Sequence, residues 1–362
     1  MVKTVSVIGA NGVPASYGGW DQLVEAFSKV DREDLRFVIF CSHKTNSGEH
    51  AKHNNAKVEV VRLDANGWQS IPYDIISLCR AFRISDITIM LGTSGCVALP
   101  LFRLLGHKVI LNIDGAEWRR GKWNFFIKIF LKISEFLGVK NSEVVISDNA
   151  VITDYVEQKY FVKPKTIAYG ADHIVLDVGR RDYGSLGLEK GKYFFKVCRI
   201  VPENNLELIL SAFSKSHAQF VLVGNFLSSD FGIKLRKKFS VHENLHLLDP
   251  IYDQETLNAY RSNAGVYVHG HSVGGSNPSL IEAMYLGLNI FSYDVNYNRE
   301  TTKQFAHFYK SEDDLLGLIS KFHAGELIHH GKGAQKIARD QYTWKKIMTR
   351  YLEVIDSIGE KV

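Results

Sequence analysis

Cysteine is scarce in this chain: four in 362 residues (Cys41, Cys79, Cys96, Cys198), with no C-x-x-C pair. That excludes a disulfide scaffold, argues against a thiolate zinc site or redox dithiol, and leaves buried free thiols in a reducing compartment as the expectation. Proline is scarce too, seven in all, and with no low-complexity run, long disordered segments are not expected. No apolar stretch approaches the roughly 20 residues of a membrane span. The charge excess is small, a formal +5. It is too thin for a nucleic-acid footprint, yet compatible with an acidic membrane surface or a polyanionic ligand. Met1 to Gly9 reads as a strand entering a glycine loop, so no leader peptide is expected and the setting reads as cytoplasmic. Neither G-x-G-x-x-G nor a Walker G-K-[ST] loop occurs, which counts against NAD and against a P-loop.

What is present is alternation. Short apolar runs at Thr4–Ile8, Phe37–Cys41, Val58–Leu63, Asp86–Leu91, Val109–Ile113 and Val144–Ser147 read as strands. Helical patterns lie between them near Tyr17–Val30, Asp74–Arg83, Gly95–Leu105, Lys122–Leu137 and Asn149–Tyr160. Continuous runs such as VIF, ITIM and VILNI suit a parallel sheet covered on both faces. Residues 173–192 are rich in Gly, Arg, Asp and Lys and read as a linker. The alternation then restarts at Tyr193–Cys198 and runs through a strand at Val266–Val268, a helix at Pro278–Leu286 and a strand at Asn289–Ser292. The expectation is α/β architecture: two doubly wound, Rossmann-like domains (1–172 and 193–341) facing a central cleft, with a C-terminal helix in 342–362 packing back on the first.

Ligands of such sheets bind beyond the strand C-termini, so the loops there hold the candidates. After Val268 comes a polar, glycine-rich loop containing His269, His271, Gly274, Gly275, Ser276 and Asn277, then Pro278 and Ser279 at a helix start. Its amides favour an anion, usually phosphate, and Glu282 one turn on can accept from sugar hydroxyls. This is the layout expected of a nucleotide-sugar site. Gly18 and Gly19, in the loop after the first strand, offer a second possible phosphate cradle. Arg199, directly after the strand YFFKVC, can clamp a diphosphate. Asp114 ends an apolar strand and can orient a hydroxyl or act as a base, though a turn Asp before Gly is equally ordinary. His269 and His271 lack the further ligands a metal needs. Between Trp118 and Lys132, aromatic residues and cations interleave. Such a helix can dock on a headgroup layer, although core packing is the commoner use of the pattern.

Five segments in order carry a resemblance over essentially the whole chain: "IGANGVPASYGGW", "NIDGAEWRRGKW", "VPENN", "HGHSVGGSNPSLIEAM" and "NRETT". They resemble the retaining glycosyltransferases of family 4, with the GT-B fold, and within them the bacterial rhamnosyltransferase-like branch. The resemblance implies that Glu282 grips the nucleotide ribose and Arg199 the diphosphate. Gly18, Gly19, His271 and Gly275 to Ser279 complete the donor site; Tyr17, Asp114, Glu117, His269 and Arg299 are expected among acceptor or sugar contacts. Two positions depart from the wider family: Gly274 replaces a glutamate and Asn204 a lysine, with Arg299 or Lys196 as candidates for the missing cation. The implied reaction needs no metal, cofactor or protein nucleophile; the co-substrate is a nucleotide-diphosphate sugar, dTDP-L-rhamnose by the branch. The implied acceptor is a lipid-linked or growing polysaccharide, as in O-antigen or capsule assembly, with peripheral contact at the inner leaflet of the membrane and no nucleic acid. Another UDP-, GDP- or dTDP-sugar donor, a sugar-nucleotide 2-epimerase of the same architecture, and a non-catalytic Rossmann protein remain open.

Overall fold

The structure, a computed structural model, describes residues 2–15, 18–46, 51–113, 115, 117–119, 121, 123–174 and 186–359. They fall into two compact units, Met1–Tyr169 with Trp344–Val362, and Gly170–Thr343.

The first unit contains β1 (Lys3–Ile8), α1 (Gly18–Ser28), β2 (Leu35–Ser42), β3 (Lys52–His53), β4 (Ala56–Val61), α2 (Ser70–Ile84), β5 (Ile87–Leu91), α3 (Leu99–Leu104), β6 (Lys108–Asn112), α4 (Phe125–Asn141), β7 (Val144–Ser147), α5 (Ala150–Tyr160) and β8 (Lys165–Thr166). The second contains β9 (Phe194–Val197), α6 (Leu206–Ser214), β10 (Phe220–Val223), α7 (Asp230–Phe239), β11 (Leu245–Leu248), α8 (Gln254–Ser262), β12 (Val266–His269), α9 (Pro278–Tyr285), β13 (Asn289–Tyr293), α10 (Asn296–Thr302), β14 (His307–Tyr309), α11 (Glu312–His323) and α12 (Gly331–Gln341). The last helix, α13 (Trp344–Gly359), belongs to the first unit.

Both sheets are wound outward from their first strand. The order is β3-β4-β2-β1-β5-β6-β7-β8 in one and β11-β10-β9-β12-β13-β14 in the other. Every described pairing is parallel except β3 with β4. The chain reverses direction beside β1 in the first sheet, towards β5, and beside β9 in the second, towards β12. Such switch points leave a crevice beyond the strand C-termini.

The second unit's core sets a cluster of aromatic rings among aliphatic side chains. Phe213 stacks on Phe220 with ring centroids 4.3 Å apart, and Phe194 meets Phe213 edge-on at 5.0 Å. In the first unit α13 buries Ile347, Tyr351, Ile355 and Ile358, spaced three or four apart on one stripe. Its Tyr351 ring meets Phe27 at 5.0 Å, Asn112 donates to the Tyr351 hydroxyl at 2.8 Å, and Lys108 donates to the Ile358 carbonyl at 3.2 Å.

Several boundaries differ from the sequence expectation for local reasons. The helix expected over Lys122–Leu137 starts at Phe125, because the Asn124 side chain accepts from the Ile127 amide at 3.0 Å and fixes the cap there. The one expected at Gly95–Leu105 opens as a 3-10 turn at Cys96–Ala98 before α3. The thiols are not uniformly buried: Cys41 and Cys96 are, Cys198 is half-buried and Cys79 is exposed.

Candidate functional site

The second sheet's switch point brings two loops together, one after β9 and one after β12. The β9 loop passes through Arg199 to a turn at Glu203, Asn204 and Asn205; the β12 loop is 270–277. Four hydrogen bonds lace them. Ser272 donates to the Glu203 carbonyl from its amide (2.9 Å) and its hydroxyl (3.0 Å). The Asn205 amide group donates to the Gly270 carbonyl at 2.7 Å, and Asn204 Oδ1 lies 3.2 Å from His271 Nδ1. Close packing requires glycine at 270, where a Cβ would stand 2.2 Å from the Asn204 carbonyl oxygen.

Asn204, where the wider family has lysine, is buried and braces the turn by donating to the Arg199 carbonyl at 2.8 Å. Gly274, where the family has glutamate, sits at φ +122°, a backbone that side-chain-bearing residues rarely adopt. The two departures are therefore built into the loop's backbone path.

At the start of α9, Asn277 Oδ1 accepts from the Ser279 amide at 3.1 Å and from its hydroxyl at 2.7 Å, and the Tyr267 hydroxyl donates to Ser279 Oγ at 2.8 Å. The helix therefore caps itself at Ser279, and Pro278 has no N–H. The amides without a protein acceptor among the described residues lie one step earlier, at Gly274, Gly275 and Asn277. Neighbouring unpaired amides of this kind at a strand-to-helix loop are available to an anion. Arg199 is exposed, and its guanidinium has no hydrogen bond or ion pair among the described residues. Ser276 is buried, its hydroxyl 3.4 Å from that of Thr301.

Glu282, one turn into α9, projects into a buried ionic cluster. Its Oε2 lies 2.7 Å from Arg261 Nη2 and its Oε1 3.3 Å from His173 Nε2. Arg261, itself 3% exposed, also donates to Asn258 Oδ1 at 2.6 Å. Burial pushes the Glu282 carboxyl up, but Arg261 and His173 outweigh it and hold the group below the usual carboxylate range. Arg261 and His173 escaped the sequence reading. An arginine in the last turn of α8 reads as a surface helix-end cation, and nothing local announces a partner on another helix.

Neither proposed stand-in cation is free. Lys196 is fully buried, with Nζ 3.4 Å from the Val268 carbonyl, and burial lowers its pKa. Arg299 donates from Nε to Asp294 at 2.6 Å and from Nη1 to Gln304 at 2.7 Å, over the Phe308 ring at 4.1 Å. His269 is buried, and burial, then Lys196 and His271, depress its pKa well below the ordinary range. It presents no surface to a sugar, whereas His271 is half-buried.

In the first unit, Gly18 opens α1 with φ +85° and open space around it, and Gly19 follows half-buried. Glu117 accepts from Trp123 Nε1 at 3.1 Å. Tyr17 and Asp114 lie outside the described residues.

Residues 2–172 match the family described as Domain of unknown function (DUF1972), and residues 182–326 match Glycosyl transferases group 1. No curated protein sequence matches the chain significantly. Among solved structures the chain is similar to a sucrose-phosphate synthase from Thermosynechococcus elongatus (15% identity, TM-score 0.81, 99% of this chain and 100% of that one). It is also similar to HepE of Anabaena in complex with UDP (12%, 0.71, 98% and 100%) and to a glycosyltransferase from Rickettsia africae ESF-5 (11%, 0.71, 100% and 100%). These likenesses define the fold as GT-B, with two Rossmann-like parallel-sheet domains. With the group 1 match over the β9–β14 unit, the chain is a glycosyltransferase.

Proposed function

We propose that the chain is a retaining hexosyltransferase of family 4 that takes L-rhamnose from dTDP-L-rhamnose. Its acceptor is a lipid-linked or growing bacterial surface polysaccharide such as O-antigen or capsule. The unit containing β9–β14 holds the donor and the unit containing β1–β8 the acceptor. The enzyme works in the cytoplasm, in peripheral contact with the inner leaflet.

The observation that carries the donor reading is the pairing of unsatisfied amides at Gly274, Gly275 and Asn277 with the free guanidinium of Arg199. They follow adjacent strands at the sheet's switch point. A diphosphate leaving the anomeric carbon gains negative charge, and donors already fixed in place stabilise it without reorganisation. The reaction as proposed needs no metal. The acceptor hydroxyl attacks from the face the diphosphate leaves, and a departing phosphate oxygen takes its proton.

The two departures from the wider family, Gly274 and Asn204, fit the rhamnosyltransferase-like branch. UDP-sugars are the second reading, favoured by the UDP bound in the HepE structure. A 2-epimerase would need acid and base groups at the donor sugar, where this loop offers glycine. Turnover assays across dTDP-, UDP- and GDP-sugars, with and without acceptor, test the set. Rhamnosyl transfer only with acceptor supports the proposal. Transfer confined to another donor overturns rhamnose, and isomerised donor without acceptor overturns transfer.

A further inference from the structure

Helix α4 is apolar on both faces: it buries Leu131 and Val139 yet leaves a second apolar face exposed. Its exposed side carries Phe125 (70% exposed), Phe126 (79%), Ile129 (41%), Ile133 (51%) and Phe136 (46%), while Ser134 and Glu135 are buried. Phe126, Ile129, Ile133 and Phe136 are spaced three, four and three residues apart, which makes one continuous stripe about 17 Å long.

The helix cannot turn to bury that stripe. Gly138 packs so closely that a Cβ would stand 2.7 Å from Cys96 Sγ. Ser134 donates to the Thr93 carbonyl at 2.5 Å. Glu135 accepts from the Tyr155 hydroxyl at 2.5 Å and from Tyr160, and pairs with Lys159 at 3.3 Å. Trp118, expected on the docking face, is instead half-buried among cations: Lys132 Nζ lies 4.4 Å from its ring centroid and its Nε1 donates to Tyr155 at 3.3 Å.

The charges on α4 are one-sided. Lys128, Lys132 and Lys140 stand against Glu135 alone, which is buried and held.

We propose that the exposed face of α4 is a membrane-docking surface, lying in the headgroup plane of an anionic phospholipid bilayer. An in-plane helix with a bulky apolar face and a cationic rim is complete for that partner. A stripe one helix wide falls short of the roughly 800 Å² a side that a stable protein interface uses. The surface deepens the proposed peripheral contact and rests on it for its setting. Vesicle binding is read without donor or acceptor, so its failure and a failure of sugar transfer are separate results.

The test is co-sedimentation of the full chain with phosphatidylglycerol–phosphatidylcholine vesicles and with phosphatidylcholine alone. Size-exclusion mass measurement runs alongside. The wild type should bind the anionic vesicles, more weakly at high salt, and bind the neutral ones poorly. Combined Phe126→Ser, Ile129→Ser and Ile133→Ser should weaken partitioning about 100-fold with the native circular dichroism spectrum retained, since none of the three side chains is buried. Lys128→Glu with Lys132→Glu should abolish the preference for anionic lipid. Three outcomes overturn the proposal: a wild type that ignores anionic vesicles, a serine variant that binds as tightly as the wild type, or a dimer that the serine variant dissolves, which would make a second copy the occupant.

Discussion

Glu282→Gln separates two roles of one carboxylate: the buried pair with Arg261 that the structure shows, and the proposed grip on the donor ribose. The substitution keeps the side chain's size and an acceptor oxygen but leaves Arg261, 3% exposed and 2.7 Å away, without its counter-charge. Removing one partner of a buried ion pair costs about 3–5 kcal/mol. The amide oxygen retains one hydrogen bond, worth about 1 kcal/mol, so the expected net loss is roughly 2–4 kcal/mol. At about 2–4 °C per kcal/mol for a unit of this size, the melting point should fall by about 4–16 °C. The pH dependence has a definite sign. The folded carboxyl titrates below its ordinary 4.5, so its contribution is present above that value and fades as pH drops through the folded pKa. The gap between wild type and Glu282→Gln should therefore narrow in acid. Calorimetric scans from neutral pH downward, with donor KM measured at neutral pH, read both roles. An unchanged melting point, or a gap insensitive to acid, would refute the ion-pair argument. A large drop in stability with unaltered donor KM would remove Glu282 from the donor site while leaving the pair intact.

Three further outcomes are expected. Arg199→Ala should leave the melting point unchanged, because the side chain is exposed, and lower kcat about 100–1000-fold, the effect of losing one preorganised donor; steady-state kinetics check this. Asp74 is buried beside Ser94, and burial lifts its pKa from 3.8 to about 7. Stability is greatest at low pH for such a group and lost as pH rises towards 7, so Asp74→Asn should gain melting temperature over the wild type at pH 8 but not at pH 4, read by thermal scans. Gly274→Ala should cost about 1–2 kcal/mol by forcing a Cβ into positive φ, measured by denaturant titration.

The parallel strands were readable because burial on both faces leaves continuous apolar runs such as Val38–Phe40 and Ile87–Met90. Helix starts were readable where a side chain caps locally, as Asn277 does for α9. Strand order was not, since β9 pairs with β10 and β12 through contacts that no short window contains. The three-residue β14 and the seven-residue α10 are too short for periodicity to declare. In the site, Arg199 and the loop after β12 stood out because their residue types suit an anion. The Glu282–Arg261 pair did not, because its partners lie on different helices and meet only in the packed unit. For α4 the pattern showed two faces, but only the seating of Gly138 and Glu135 tells which of them is inside.

The central claim is tested most directly by a crystal structure of the chain with dTDP or UDP bound. The account predicts the diphosphate against the amides of Gly274, Gly275 and Asn277, with the Arg199 guanidinium on its oxygens. A nucleotide seated elsewhere, or one whose phosphates touch neither group, would contradict it.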